Sequence, residues 1–472
     1  MRSFNLLISV VIVFAVTNSC QKPDKEKDST SEKAIAHHGP VQRVIPGKYV
    51  VFMKEEPLAF LSNSNDKNNN VEARASRIAK IKDFAASHGV NADSISAVFA
   101  DIAVGFIASM GTNELNTFRL ETATAYPAVQ SFQIKYTGPI IQGQPIQQGQ
   151  PIQQGRSTIQ GQPIQQSLVA IGASDINFNT RAIERAGGSK AAVLQPGSDT
   201  TRIWIVDTGI ARHPDLKINT AAGYNFIANT VRAEDDNGHG THIAGIAGAK
   251  VVTRLTSKIG GVTKAININI GVSTGATVIP LKVFNELGDG EWGDLVLALD
   301  HIKQLGHKGD VVNLSLGAYC TDCDNESPQT VGLINELAML GIYVVIASGN
   351  DAGDANKSFP GCIMGGPTGF EKFVVTVGAI RPRKDCTRYS NYGPSVDYVE
   401  VGNNLLSTYL FDYAANQWQY VLMSGTSMST AVMSGVIHAT GGAFVTIPSL
   451  CPPGTPPTVP PTIPYPIGRT KL

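Results

Sequence analysis

The sequence predicts an α/β protein: a three-layer α/β/α domain with a mostly parallel central sheet, preceded by a small α+β domain. Three observations support this prediction. Runs of Val and Ile alternate with helical patterns over residues 175–446, separate strand and helix patterns cover residues 44–136, and a low-complexity segment lies between the two regions. A length of 472 residues also fits two or three domains better than one.

The predicted strands of the larger domain are continuous apolar runs, which indicate burial on both faces of a sheet. Helical patterns at residues 295–305 and 330–340 separate several of them. Strands that alternate with helices form parallel sheets with helices packed on both sides. The predicted strands are residues 202–206, 276–281, 310–314, 342–347 and 373–377.

The smaller domain and the segments that flank the larger one have distinct compositions. Residues 44–136 combine strand patterns with a helical pattern from Val71 to His88, which Gly89 ends. Residues 137–174 are predicted to be a linker, because they repeat the hexapeptide Gly-Gln-Pro-Ile-Gln-Gln and have too few apolar residues for a core. Residues 447–472 contain nine Pro and are expected to be an extended, disordered tail.

The N-terminus has the features of an export signal over residues 1–20. Arg2 precedes the apolar run from Leu6 to Val16, which is too short to span about 30 Å of hydrocarbon. Ser19 before Cys20 resembles a bacterial lipoprotein signal, so either Cys20 carries a lipid that attaches the chain to a membrane or the signal is simply cleaved. Residues 21–43 then form a polar tether. We expect an exported protein, extracellular or anchored to the cell envelope.

Composition excludes a general electrostatic affinity for nucleic acid, because 38 Lys and Arg balance 38 Asp and Glu. Charged residues are only 16% of the chain, which fits a tightly packed exported protein. The six Cys are expected to form disulfides in an oxidising compartment, without a connectivity that the sequence defines. Cys320 and Cys323 alone would also suit half a zinc site or a redox pair, but no second such pair exists.

Four polar residues are candidates for chemistry, which collects beyond the carboxyl ends of strands in open α/β sheets. Asp207 and Asn350 follow predicted strands, while His239 and Ser427 lie at the starts of helices rich in small residues. Taken singly, each suits a turn, a cap or a packed side chain. His242 alone fits a packed core histidine. A metal pair of His239 and His242 lacks the Glu of the metalloprotease helix, so no metal ligand set is predicted.

The chain order Asp207, His239, Ser427 is that of subtilisin, whereas chymotrypsin and the α/β-hydrolases have different orders. Together with Gly-His-Gly-Thr-His at 238–242 and Gly-Thr-Ser-Met at 425–428, it closely resembles the subtilisin-like serine protease family. The resemblance covers about residues 175–443. Residues 44–136 resemble, more loosely, the inhibitory propeptide of that family.

The resemblance implies a role for each matched residue. Ser427 is the nucleophile, His239 the general base and acid, and Asp207 the residue that fixes the imidazole tautomer. Asn350 and the Ser427 backbone N–H form the oxyanion hole. The residues that flank the substrate side chain are Ser315, Leu316, Gly317, Ala347, Ser348 and Gly349. Because they are uncharged, an apolar preference is expected there.

Further matches and departures refine this expectation. Residues 290–293 resemble the edge strand that pairs with substrate backbone, and Phe359-Pro360 matches a bond that the family often holds in cis. Ala431 stands where the family has Pro after the nucleophile, so entry to that helix is expected to be less rigid. An insertion at 250–269 lies where many members build a calcium loop, and Asp215 matches an acidic calcium ligand. The sequence predicts no required cofactor, and a structural calcium ion is the alternative that it leaves open.

The sequence therefore predicts a secreted or lipid-anchored serine endopeptidase made as a zymogen. Its partners would be polypeptide substrates and its own propeptide, acting as an intramolecular inhibitor until cleavage in or after the Gln-rich repeat. One alternative is a pseudoprotease or binding protein on the same fold, favoured only by the missing Pro. An esterase or lipase is disfavoured, because Ser427 lacks the Gly-x-Ser-x-Gly motif.

Overall fold

A computed structural model describes residues 43–53, 71–100, 104–121, 128–136, 201–250, 252–259, 262–268, 270–320, 328–366, 369–382, 384–414, 416–451 and 466–469. The predicted signal, the tether up to residue 42 and the linker at 137–174 lie outside the described residues. Within the described ranges, no helix has both the length and the apolar character needed to cross a bilayer.

Helices and strands are numbered here in chain order over the described residues. The strands are β1 Arg43–Phe52, β2 Ile95–Phe99, β3 Gly105–Ser109, β4 Ala128–Tyr136, β5 Ile203–Asp207, β6 Lys217–Ile218, β7 Tyr224–Asn225, β8 Val252–Ile259, β9 Val262–Ile268, β10 Thr277–Lys282, β11 Asp289–Glu291, β12 Val311–Leu314, β13 Leu316–Tyr319, β14 Tyr343–Ala347, β15 Ser358–Phe359, β16 Val374–Ile380, β17 Tyr398–Val401, β18 Leu405–Asp412, β19 Gln417–Met423, β20 Val445–Pro448 and β21 Pro466–Arg469. The helices are α1 Val71–Ser87, α2 Thr112–Glu121, α3 His239–Gly248, α4 Trp292–Leu305, α5 Pro328–Met339 and α6 Thr426–Thr440.

The first four strands and two helices form the small α+β unit that the sequence predicts. β1 pairs antiparallel with β3 on one side and with β4 on the other, and β2 extends the sheet beyond β3. The apolar positions of α1 at helical spacing, Ile81 and Ala85, are fully buried against Val51 and Phe106. The sheet thus packs its helix through a core of its own.

The central sheet of the larger domain is parallel throughout the pairs that the structure describes. Its strand order is β17-β16-β14-β12-β5-β10-β6, and β7 also pairs with β10. Successive residues of β5 alternate between two cores: Ile203 and Ile205 pack with α3 and α6, whereas Trp204 and Val206 pack with α4 and α5. Burial on both faces explains the continuous apolar runs. The structure confirms the three-layer α/β/α prediction.

The described residues of the C-terminal segment, 447–451 and 466–469, are ordered, whereas the sequence predicts a disordered tail over residues 447–472. Val445 pairs with Arg469 as β20 and β21 form an antiparallel ladder, and Ile467 is buried in the main core. A disulfide between Cys386 and Cys451 ties the segment to the loop after β16. Apolar packing and a covalent bond therefore hold residues that a Pro-rich composition assigns to disorder. The described part of the 250–269 insertion forms the hairpin of β8 and β9.

The predicted disulfides are present among the described cysteines, since Cys362 is disulfide-bonded as well as Cys386 and Cys451. Cys320 is buried, and its thiol lies 3.7 Å from the carbonyl oxygen of Asn356.

Candidate active site

Asp207 and His239 form a buried pair where β5 ends and α3 begins. The Nδ1 atom of His239 lies 2.8 Å from Oδ1 and 3.0 Å from Oδ2 of Asp207, and both residues are at most 1% exposed. Because a carboxylate only accepts hydrogen bonds, Nδ1 is the donor. In the neutral ring the lone pair then lies on Nε2, which can accept a proton from a hydroxyl.

A buried carboxylate that the sequence analysis missed fixes the start of α3 against β5. Asp235 accepts hydrogen bonds from the Thr208 hydroxyl at 2.8 Å and from the backbone N–H groups of Gly238 at 2.8 Å and Thr241 at 2.9 Å. The Thr208 hydroxyl in turn accepts from the Gly240 N–H at 2.9 Å. Burial has the largest effect and raises the pKa of Asp235, while hydrogen bonds from the Thr241 hydroxyl and from the backbone N–H groups of Gly238, Asn237 and Thr241 lower it in part. An Asp just before a helix start was the available signal.

Gly238 is required for the turn that delivers His239. Its φ is +105°, and a Cβ at this position would lie 2.1 Å from the Tyr409 ring. The Tyr409 hydroxyl donates to the carbonyl of Asn237 at 3.0 Å. Left-handed backbone and close aromatic packing together exclude a side chain here.

Ser427 is the second residue of α6 and is fully buried. Its hydroxyl donates to the Ser315 carbonyl at 3.4 Å, and the Ser315 hydroxyl donates to the Ser427 carbonyl at 3.0 Å. The Asn313 amide donates to the Ser315 hydroxyl at 2.8 Å and accepts from Ser434 at 3.0 Å. This buried hydrogen-bond chain, which the sequence analysis did not predict, joins β12 to the first turns of α6.

Asn350 lies beside the start of α6, three residues beyond the end of β14. Its Oδ1 atom accepts from the backbone N–H of Thr426 at 2.9 Å and from the Thr426 hydroxyl at 3.0 Å. Those two contacts determine the orientation of the amide. The Nδ2 group is therefore the end of Asn350 that can donate to a developing negative charge next to Ser427.

The absence of a Pro after Ser427 does not interrupt α6, which runs from Thr426 to Thr440. The hydroxyls of Ser429 and Thr430 both donate to the Thr426 carbonyl, at 2.9 and 2.8 Å. Ala431 is fully buried in the helix. The first turn of α6 thus carries two side-chain hydrogen bonds at the place where the sequence differs from the family pattern.

The two predicted substrate-binding strands both pair with β4 of the N-terminal unit. Gly290 of β11 is in register with Ile134, and Gly317 of β13 with Lys135, in both cases antiparallel. Leu316 pairs with Tyr136, the last residue of β4. A peptide strand from the same chain therefore lies between β11 and β13 and runs toward Ser315.

The other predicted substrate-flanking residues follow β14. Ala347 ends that strand, Ser348 is fully buried, and Gly349 has a φ of +102°. The Phe359-Pro360 peptide bond is cis. The structure thus brings both predicted flanking segments and Asn350 to the carboxyl edge of the central sheet, where Asp207 also lies.

Asp215, the position that the resemblance associates with calcium, has protein partners instead. Its carboxylate accepts a hydrogen bond from the Tyr420 hydroxyl, and its Oδ2 atom lies 3.8 Å from Nδ1 of His213. Over the part of the chain that the structure describes, no three His, Cys, Asp or Glu side chains gather as a metal site. Among the described side chains, Asp215 is therefore engaged by Tyr420 and His213 and is not grouped with further carboxylates of the kind that bind calcium.

His242 is a packed core histidine. It is fully buried, and its Nε2 atom lies 3.1 Å from the Leu405 carbonyl and 3.0 Å from that of Val421. Burial lowers the pKa of His242 to about 3, so the ring is neutral and Nε2 donates. His242 therefore secures the β18–β19 hairpin against α3.

Comparison with known proteins gives the family. The model of the subtilase family matches residues 198–440, which is just over half of the chain. The chain belongs to the subtilase family. This subtilase is 31% identical over 234 residues to subtilisin Savinase of Lederbergia lenta, covering 50% of the chain and 73% of Savinase.

Other similarities cover smaller shares of the relatives. The minor extracellular protease Epr of Bacillus subtilis is 31% identical over 229 residues, which are 48% of this subtilase and 30% of Epr. The chain spans about half the length of other curated relatives that it matches. A crystal structure of a cold-adapted subtilisin-like serine proteinase is 25% identical with a TM-score of 0.40, covering 50% of this chain and 74% of that one.

Proposed function

We propose that this subtilase is an exported serine endopeptidase that cleaves peptide bonds through an acyl-enzyme. One observation carries the proposal: the buried Asp207–His239 pair lies at the same edge of the sheet as Ser427 and Asn350. Membership of the subtilase family supports the same interpretation, since Savinase and Epr are named as a subtilisin and a protease.

In the proposed reaction, the Ser427 hydroxyl attacks the scissile carbonyl while Nε2 of His239 takes its proton. The Asp207 carboxylate, already bonded to Nδ1, stabilises the imidazolium that forms. His239 then gives the proton to the leaving amine as the carbon–nitrogen bond breaks. A water molecule then attacks the acyl-enzyme ester while His239 takes a proton from it. His239 returns this proton to the Ser427 oxygen as the ester bond breaks, which restores the Ser427 hydroxyl.

Asn350 and the Ser427 N–H would stabilise the tetrahedral oxyanion. Because Thr426 engages Oδ1 of Asn350, the amide N–H groups need no reorientation when the charge develops. Preorganised donors of this kind contribute strongly in a site that excludes water, and losing one costs about 10²–10³ in turnover.

We further propose that the N-terminal unit is an inhibitory propeptide. β4 lies between β11 and β13, so it takes the place in which a substrate backbone would pair. Ion pairs also join the two parts: Lys48 with Glu291, and Arg74 with Asp300 at 3.5 Å. Asp300 is only 1% exposed, so its pairing supports specific docking of the unit.

The proposed processing event separates this unit from the mature protease. β4 ends at Tyr136, directly before the Gln-rich linker in which, or after which, we propose that cleavage occurs. Self-cleavage predicts that wild-type protein made in a protease-free system matures while Ser427→Ala protein stays full-length. Intact mass and N-terminal sequencing would identify the product. Equal processing of both proteins would refute self-cleavage.

The proposal of export and lipid attachment rests on residues 1–20 and on the similarity to Epr, which is named as an extracellular protease. Attachment through Cys20 predicts that the protein made in a bacterial host with lipoprotein processing incorporates labelled fatty acid. Cys20→Ala protein should lack the label. An unlabelled wild type with a shortened N-terminus would instead indicate simple signal cleavage.

A fluorophosphonate probe tests the proposed nucleophile directly. The matured wild type should be labelled at Ser427 and should hydrolyse peptide substrates, while Ser427→Ala and His239→Ala should lose both properties. Asn219→Ala, in the turn between β6 and β7, serves as the control with normal labelling. Folded wild type that neither reacts nor hydrolyses would favour the pseudoprotease alternative.

A further inference from the structure

We infer that Asn391 is a positioning residue, which holds Asn350 where it can donate to the oxyanion. This inference rests on the proposed function of Asn350. Asn391 lies in the loop between β16 and β17, 41 residues beyond Asn350 in the sequence, and is only 4% exposed. Its side chain bridges the two ends of the loop that carries Asn350.

The amide of Asn391 bonds to backbone groups on both sides of Asn350. Its Nδ2 group donates to the carbonyl of Ser348 at 2.9 Å, while its Oδ1 atom accepts from the N–H groups of Asp351 at 2.9 Å and Gly353 at 3.1 Å. Three bonds from one buried side chain thus fix the backbone immediately before and after Asn350.

The Asn391 amide packs closely on Gly349, so this bridge requires a glycine at position 349. A Cβ at Gly349 would lie 2.3 Å from Nδ2 of Asn391, so the amide occupies the space that any larger residue would fill. The Asn391 N–H also donates to the Gly349 carbonyl at 2.9 Å. Gly349 has a φ of +102°, which only glycine adopts without strain. The two residues therefore determine each other's geometry.

Asn350 is consequently held from two directions. Asn391 fixes its backbone, and Thr426 fixes its side-chain oxygen at the start of the nucleophile helix. Since oxyanion stabilisation depends on donor position to within fractions of an ångström, loosening the backbone should weaken it even though Asn391 would not touch the substrate.

Loss of the Asn391 side chain need not unfold the loop. Backbone hydrogen bonds from Ala352 to Tyr389 at 2.8 Å and from Tyr392 to Gly353 at 3.0 Å would still join the two segments. The expected defect is therefore local displacement of Asn350, which a kinetic measurement can separate from loss of the fold.

The test is a double-mutant cycle on matured enzyme with a peptide substrate. Asn391→Ala should lower kcat by about tenfold or more and change KM less than about threefold, because oxyanion binding acts on the transition state. In an Asn350→Ala background, Asn391→Ala should lower kcat no further than about twofold, since the donor that it positions is gone.

A matched control is Asn219→Ala. The Oδ1 atom of Asn219 accepts from the N–H groups of Ala221 at 3.1 Å and Ala222 at 3.2 Å, in the turn between β6 and β7. This variant removes the same kind of side-chain brace and should leave kcat unchanged in both backgrounds. If Asn391→Ala does not fold, Asn391→Asp enters the same cycle, since it keeps the acceptor for Asp351 and Gly353 but loses the donor to Ser348.

An unchanged kcat in Asn391→Ala, or an equal loss with and without Asn350, would overturn the positioning role. Either result requires an active wild type that depends on Ser427. A wild type without Ser427-dependent hydrolysis refutes the proposed function instead, so the two failures are distinguishable.

Discussion

The Asp207 carboxylate and the His239 imidazole are joined by a buried hydrogen bond of 2.8 Å that links the end of β5 to the start of α3. Asp235 holds the same two elements together through Thr208 and Thr241. The packing of β5 against α3 thus sets the orientation of the imidazole, because both partners of the hydrogen bond lie at the ends of these two elements.

Replacing Asp207 with Asn should remove the anion without changing the shape of the site. We expect kcat to fall by roughly 10⁴-fold, because an amide at this position favours the wrong imidazole tautomer and does not stabilise the imidazolium. Steady-state hydrolysis of a peptide substrate measures the loss. Thermal unfolding of the variant controls for misfolding. A fall of less than tenfold would contradict the role assigned to Asp207.

The full-length precursor should lose stability as pH rises toward neutrality because of Asp294. Burial, and next the charge of Glu291, raise the pKa of Asp294 to about 7, while Lys48 lowers it. Asp294 lines a cavity of about 540 Å³ between the N-terminal unit and α4. Between its unfolded pKa of 3.8 and about 7, the unfolded chain releases a proton that the folded one keeps, so stability falls by at most about 1.4 kcal/mol per pH unit.

Urea unfolding of Ser427→Ala precursor between pH 4 and 8 would measure this dependence without self-digestion. Asp294→Asn in the same background should flatten the fall between pH 4 and 7. Identical slopes in the two proteins would show that Asp294 does not titrate as described.

Removing the ion pair at Asp300 should shorten the latency of the proposed precursor. Arg74→Ala leaves the buried Asp300 carboxylate without that cation in the docked state, which favours release of the N-terminal unit. We expect activity to appear several-fold sooner after maturation begins, as followed with a fluorogenic peptide. Lys82→Ala, an exposed change on the same helix, should keep the wild-type lag. Equal lags in all three proteins would argue against this contact.

The Tyr420 hydroxyl should stabilise the region around Asp215. Tyr420→Phe removes a donor from a carboxylate that is only 4% exposed, so we expect a loss of about 1.5–3 kcal/mol in the free energy of unfolding. Tyr413→Phe is the control, because Tyr413 is 88% exposed between β18 and β19. If calcium held Asp215 instead, a chelator would destabilise the wild type and Tyr420→Phe would have little effect.

Much of the architecture could be predicted because its signals are local. Apolar runs identified β5, β10, β12, β14 and β16, and the structure places a strand at each of these positions. The order of Asp207, His239 and Ser427 indicated the family, which the match over residues 198–440 confirms. The tail was the exception, since its Pro content concealed the contacts of Ile467 and Cys451.

The sequence by itself determined the fold class, the family and the candidate reacting groups, because buried strands and family motifs are each recognisable as short runs of consecutive residues. Only the tertiary structure decided that β4 lies between β11 and β13, that Asp235 joins Thr208 to α3, and that Asn391 spans the loop of Asn350. These contacts join segments far apart in the chain. Most of their partners are backbone groups, whose availability depends on register and loop conformation and leaves no pattern in the side chains.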